Sequence, residues 1–239
     1  MQPKANRRHA HPPGNLCRAA HPWQPRMSDV LLAGASGLIG REVQRQWTGP
    51  GTLHCLLRKP QPALPHTRVH VVDYTALPTL PAAAGAICCL GTTIKAAGSQ
   101  EAFRAVDFDA VLHFAQAAQR AGVQRFAVVS ALGANARSGN FYSRVKGEME
   151  AALMALRFGT LVIARPSLLA GDRASLGQPL RRGEVWTLAV TKPLRPWIPA
   201  AWRPIEAATV ARAIVHVLDE AAPGTQILSS GRMQALGKS

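Results

Sequence analysis

From Ser28 onward, short apolar runs alternate with longer stretches whose apolar positions recur every three or four residues. The runs are "DVLLAG", "TLHCLL", "RVHVVD", "GAICCLG", "RFAVVS" and "TLVIAR", and helical patterns fall at residues 38–47, 101–121 and 140–156. Such alternation predicts βαβ units and a parallel sheet. The runs are continuously apolar rather than alternating, as strands covered on both faces must be, so helices are expected on each side of the sheet.

Within residues 101–121, Phe103, Val106, Ala110, Phe114, Ala117 and Ala121 form one stripe suited to packing on that sheet. Gly122 is placed to stop the helix. After Arg165 the pattern gives way to a Pro-, Arg- and Trp-rich stretch that reads as a substrate-side insertion over residues 166–205. "IEAATVARAIVHVLDE" then reads as a helix and "GTQILSS" as a last strand. The prediction is an α/β protein: one doubly wound parallel sheet over residues 27–239 with a small C-terminal substrate-side region.

Composition changes this picture little. At 239 residues the chain suits one α/β domain, and 47% hydrophobic with 17% charged residues is ordinary for a soluble protein. No apolar run approaches the ~18 to 20 residues of a membrane span. The formal charge of +15 is partly a tail effect, because residues 1–26 carry Lys4, Arg7, Arg8, Arg18 and Arg26 and no acid. That tail is rich in Pro, His and Arg without any period, so it is expected to be disordered, with Met27 as the biological start. It also lacks the apolar core of a secretory signal. Cys17, Cys55, Cys88 and Cys89 show no metal-ligand spacing, and the last three read as buried strand thiols. A reduced, cytoplasmic location and no metal are expected.

Candidate chemistry begins at Gly34-Ala-Ser36-Gly37-Leu38-Ile39-Gly40, directly after "VLLA" and directly before a helical pattern. Gly34 would allow the tight turn, Gly37 the approach of a pyrophosphate and Gly40 close packing of helix on strand. The helix N-terminus would face the phosphates of a nicotinamide dinucleotide, as in a Rossmann-type sheet. The second strand ends at Arg58-Lys59, where an NAD site usually carries an acid for the ribose 2′-hydroxyl. A guanidinium there suits a 2′-phosphate, so NADP(H) is expected in preference to NAD(H). Asp73 would cap a turn or meet the adenine amino group, and Leu90, Gly91 and Thr92 would border the cleft.

In "NFYSRVKGEMEAAL", Tyr142 and Lys146 stand four residues apart, on one face of a helix. Ser130 closes an apolar strand twelve residues earlier, so a strand end and a helix start would meet at one cleft. With "GASGLIG", "CLGTT", "VVSALGA", "FYSRVKGEME" and "ARPSLLAGDR" in this order, residues 29–218 resemble the atypical short-chain dehydrogenase/reductases, particularly the Tat-interacting-protein-like oxidoreductases. The resemblance implies Tyr142 as acid/base, Lys146 on the nicotinamide ribose and Ser130 on the reacting oxygen. It also places Pro166 near the nicotinamide, although Pro166-Ser167 lacks the glycine that often follows this proline.

The reaction so implied is hydride transfer to or from a small carbonyl or alcohol, with Lys146 expected to draw the Tyr142 phenol toward working pH. Two other readings stand beside it. One is a regulatory or assembly protein that binds NADPH without turnover, since one fold hosts both. The other is nucleic-acid binding through Arg173, Arg181, Arg182, Lys192, Arg195 and Arg203 with Trp186, Trp197 and Trp202 interleaved, residues that would equally line a pocket for an acidic substrate, so no nucleic acid is expected.

Overall fold

The computed structural model describes residues 29–170, 202–220 and 222–237. The expected tail, the Met27 start, Cys17 and most of the 166–205 insertion, including its Arg and Trp cluster up to Trp197, lie outside the described residues. Strand β1 (Val30–Ala33) leads to helix α1 (Leu38–Gln46), then β2 (Leu53–Leu57), β3 (Thr67–Val71) and β4 (Gly85–Cys88). Short α2 (Ile94–Ala97) and α3 (Gln100–Arg104) run through a π-turn (Ala105–Asp109) into α4 (Ala110–Arg120). There follow β5 (Arg125–Val129), α5 (Phe141–Ala155), β6 (Thr160–Arg165), β7 (Leu169–Ala170), β8 (Ile205–Glu206), α6 (Ala207–Glu220), β9 (Gly224–Ser229) and α7 (Ser230–Leu236).

Seven strands form one sheet in the order β3-β2-β1-β4-β5-β6-β9, every pairing parallel. Successive residues along each strand face opposite sides. Val30 and Leu32 of β1 join Leu53 and Cys55 in a core with Val43 of α1 and Val210 and Ile214 of α6. Leu31 and Ala33 face the other way, toward Phe114 of α4 and Met149 and Leu153 of α5. Rings extend this second core: Phe126 lies 5.7 Å from Phe114 and stacks 4.7 Å from Phe158. Cys55 and Cys88 are buried, and burial pushes both thiols up to about 12, which makes them inert packing groups.

Two expectations are corrected here. Strand β3 is half exposed rather than covered on both faces, and Val71 is largely open to solvent, because β3 is the edge of the sheet and its single neighbour is β2. The buried stripe of the long helix is also displaced. Phe103, Asp107, Val111 and Phe114 are buried, whereas Val106 and Ala110 are only partly covered. The π-turn adds a residue to the turn after Phe103, so the inward face advances by four and four and brings an acid where an apolar residue was expected.

At the N-terminal ends of β1 and β2, Asp29 accepts Thr52 N–H at 2.9 Å and lies 3.4 Å from Nε2 of His54. Nδ1 of the buried His54 is 2.9 Å from Nε2 of His70 on β3. Partial burial, then His54 and Arg68, hold His70 below its ordinary range. A depressed folded value means that the associated stability is present above about pH 6.5 and is lost as acid protonates His70. The melting temperature of the wild type is expected to fall on going from pH 7 to 5 more than that of His70→Gln; parallel declines would dismiss this pair as an acid-sensitive contact.

Candidate active site

The C-terminal ends of β1, β4, β5 and β6 meet along one edge of the sheet, and the strand order reverses between β1 and β4. In open α/β sheets that reversal is where ligands bind. After β1, Gly34 adopts φ +78°, and a Cβ on it would lie 2.5 Å from the carbonyl carbon of Cys89 beyond β4. Only glycine closes this turn without moving the neighbouring strand. A Cβ on Gly40 would fall 2.2 Å from the Gly34 oxygen, so the first turn of α1 rests directly on the loop.

Gly37 is the N-cap of α1 and offers no side-chain cap, while its own N–H donates to the Gly34 carbonyl at 3.0 Å. The first amides of α1 are therefore left for an anion. Arg41 Nε donates to the Ser36 carbonyl at 3.2 Å and braces the loop. Ser36 is exposed, Gly37 and Leu38 are half-buried, and Ile39 packs its side chain into the core, so Ile39 has only its backbone N–H to offer. This cradle fits a dinucleotide pyrophosphate. Arg58 and Lys59 follow β2 and are exposed. Asp73 is also exposed and spends its carboxylate on Thr75, accepting from N and Oγ1 at 2.8 Å each, which holds it below the usual carboxylate range. It is a turn cap.

On the opposite lip, Asn140 caps α5 by accepting Ser143 N–H at 3.1 Å. That cap sets the register: Tyr142 falls in the first turn and Lys146 one turn later. The Tyr142 ring is half-buried against Phe103, with centroids 5.4 Å apart, and Phe103 also touches Phe141. Ser130, just beyond β5, is 4% exposed, and among the described residues its Oγ has no hydrogen-bond partner. Pro166 is buried and its carbonyl accepts Leu132 N–H at 2.9 Å, joining the ends of β5 and β6. Ser167, in place of a glycine, turns its hydroxyl to the Arg203 carbonyl and to Ser230 Oγ at 3.0 Å.

Three features escaped the sequence. Asp107, fully buried on the π-turn, places Oδ1 2.7 Å from the ammonium of the equally buried Lys146 and accepts Thr92 N–H on Oδ2 at 2.8 Å. Burial alone would push the Lys146 ammonium down; the charges of Asp107 and Tyr142 outweigh it, and the net shift is upward. Glu150, one turn beyond Lys146, binds Arg165 at the end of β6 through two bonds, Nε at 3.0 Å and Nη2 at 2.5 Å. Gly147 presses α5 onto the loop after β5, where a Cβ would stand 2.1 Å from Ala136 N. The spacing of Glu150 after Lys146 was visible in the sequence, but its half-buried partner Arg165 was not.

Among the described residues no helix is long and apolar enough to cross a membrane. The fold resembles WbmG of Bordetella bronchiseptica in complex with NAD, with a TM-score of 0.61 and 15% identity over 94% of this chain and 78% of that one. UDP-N-acetylglucosamine 4-epimerase of Bacillus cereus gives a TM-score of 0.62 and 14% identity, covering 88% of this chain and 83% of the epimerase. FMP52 of Lodderomyces elongisporus, a mitochondrial protein by name, is 33% identical over 145 residues, 60% of each chain. FMP52-1 of Scheffersomyces stipitis, also named mitochondrial, is 45% identical over 83 residues, so the matched part spans 35% of this chain and 37% of that relative. These two relatives correct the expected cytoplasmic location. The expectation was drawn from the cysteines, and reduced, buried thiols do not separate the cytosol from the interior of a mitochondrion. Protein HTATIP2 of Rattus norvegicus is 31% identical over 235 residues, covering 92% of this chain and 90% of its own. The NAD(P)H-binding family matches residues 34–169, from the glycine loop to the strand after Pro166, and the chain belongs to that family.

Proposed function

We propose that the protein is an NADP(H)-dependent oxidoreductase of the short-chain dehydrogenase/reductase type, acting on a small carbonyl or alcohol with Ser130, Tyr142 and Lys146. The observation that carries this is Ser130: a buried hydroxyl without a partner at the end of a central strand. Leaving such a group unpaired costs about 1 to 3 kcal/mol, a cost that a substrate oxygen would relieve. The bound dinucleotide would supply or accept the hydride. Gly34, Ser36, Gly37, Leu38, Ile39 and Gly40 would hold its pyrophosphate, and Leu90, Gly91, Thr92 and Pro166 would border it, with residues 166–205 on the substrate side. Ser130 donates a hydrogen bond to the substrate oxygen, Tyr142 passes it a proton from Oη, and the Lys146 ammonium orients phenol and ribose. The same pocket in a scaffold protein would bind NADPH without using the phenol.

Ser130→Ala tests the carrying observation from two sides. Turnover of a responsive aldehyde, ketone or quinone is expected to drop at least tenfold, while the melting temperature holds or rises, because an unpaired buried hydroxyl stabilises nothing. A large loss of stability would mean that the hydroxyl serves the fold. Cofactor choice is tested separately. NADPH is expected to bind more tightly than NADH, and Arg58→Ala to narrow the gap by about 1.5 to 3 kcal/mol through loss of a charge-assisted bond to the 2′-phosphate. Equal affinities in the wild type would leave Arg58 and Lys59 as solvated cations.

A further inference from the structure

Strands β2 and β3 are parallel neighbours, and residues 58–66 alone join them, without a helix. A parallel crossover ordinarily runs to about a dozen residues or more and carries a helix that covers the sheet. Here the short connection passes beside α1 instead, with His66 at φ +61° turning the chain into β3. The flank of α1 is left open. Between the two lies a cavity of about 350 Å³, lined by Arg41, Gln44 and Arg45 of α1 and by Gln61, Pro62 and Leu64 of the connection. That volume is enough for a small organic ligand. The cavity belongs to the sheet face that α1 covers, whereas α5, which carries Tyr142 and Lys146, packs on the other face.

Its chemistry is that of an anion site with an apolar wall. Arg41 is braced by its Nε bond to the Ser36 carbonyl at 3.2 Å, and among the described residues its two terminal nitrogens meet no acceptor. A guanidinium held in this way donates to an anion at small entropic cost. Arg45, one turn on, gives Nη1 to Glu42 at 2.8 Å, an exposed pair worth little, and among the described residues its other donors are unspent. Gln44 spends Nε2 on the carbonyls of Ala35 and Gly40, so Oε1 is the acceptor it can offer. Pro62 and Leu64 supply the apolar wall, and Leu64 is 42% exposed. One guanidinium fork fills a carboxylate. A phosphomonoester has three terminal oxygens and can accept from both arginines at once.

We propose that this cavity is a binding site for a small phosphomonoester with an apolar body, separate from the dinucleotide cleft. Arg41 and Arg45 bind the phosphate, Gln61 donates to its ester side, and Pro62 and Leu64 pack on the apolar part. Neither Arg58 nor Lys59 lines the cavity, and no residue of the glycine loop does. The site therefore stands whether or not the protein binds a nicotinamide dinucleotide.

Phenyl phosphate is the probe, titrated calorimetrically into the full-length chain beside inorganic phosphate. One equivalent is expected to bind, severalfold more tightly than inorganic phosphate because the ring meets the apolar wall. Arg41→Gln and Arg45→Gln should each weaken it about tenfold through loss of a charge-assisted bond. Leu64→Ser should weaken phenyl phosphate and leave inorganic phosphate unchanged. Arg45→Gln decides alone if Arg41→Gln disturbs the glycine loop, since Arg45 is exposed and its bond is to Glu42. Saturating NADPH should leave the phenyl phosphate affinity unchanged, and so should Arg58→Ala. No binding at millimolar phenyl phosphate, or an affinity indifferent to both arginine substitutions, would overturn the proposal. Displacement by NADPH but not by NADH, with loss of binding in Arg58→Ala, would make the cavity the 2′-phosphate pocket of the dinucleotide and overturn the separate site. If the chain binds no dinucleotide at all, the cofactor reading fails, and the arginine and Leu64 variants still judge the cavity.

Discussion

Tyr142→Phe is expected to lower carbonyl turnover by roughly 10²- to 10⁴-fold while leaving the fold and NADPH affinity nearly unchanged. The substitution keeps the ring that packs 5.4 Å from Phe103 and removes only the hydroxyl. In rate terms this is about 3 to 5 kcal/mol of transition-state stabilisation. Lys146→Ala should behave differently and impair both turnover and binding, because one ammonium serves phenol and ribose and because Asp107 is then left buried without its partner. A protein that merely binds NADPH would be indifferent to Tyr142→Phe and sensitive to Lys146→Ala only in affinity. The measurement is NADPH oxidation against a panel of aldehydes, ketones and quinones, beside cofactor titration by fluorescence. Equal turnover by wild type and Tyr142→Phe would remove the acid/base assignment.

Gly147→Ala is expected to cost about 3 kcal/mol of stability or to abolish folding, although alanine favours helices over glycine. The added methyl would lie 2.1 Å from Ala136 N and 2.2 Å from the Asn135 carbonyl carbon, and both are backbone atoms that no rotamer change can move. Relief requires α5 to lift from the loop after β5. Since Lys146 precedes Gly147 and Asn135 N–H donates to the Ser143 carbonyl, such a shift would also disperse the candidate site. Gly139→Ala is the control, because a Cβ there meets nothing within 4 Å. Denaturant unfolding of the two variants should separate them clearly; similar midpoints would mean that the contact between α5 and the loop yields cheaply.

The alternation of apolar runs and helical periods was enough to order the seven strands of the main sheet and the longer helices between them, though not the short α2, β7 and β8 or the final α7, because a strand buried on both faces is written as a continuous apolar run whereas one- or two-turn elements leave no period. The glycine loop was legible for a related reason: each glycine answers a local steric demand that its flanking strand and helix already announce. Tyr142 and Lys146 were legible as a pair because helical spacing is a local property. Local spacing says nothing about what lies across a gap. Asp107 gave no signal along the chain; in the fold it lies inward on the π-turn and meets a lysine on another helix. Glu150 and Arg165 likewise gave no sign of pairing until α5 packed over the end of β6. Whether β3 was central or an edge, and whether Gly147 was a weak helix residue or a required point of contact, also waited on the packing. Periodicity and turn chemistry are written in neighbours along the chain, so the sequence by itself determined the main strands, the longer helices and the glycine loop between β1 and α1. Burial and charge pairing depend on residues far apart in the chain, so only the tertiary structure decided which polar groups leave water and which partner each one finds.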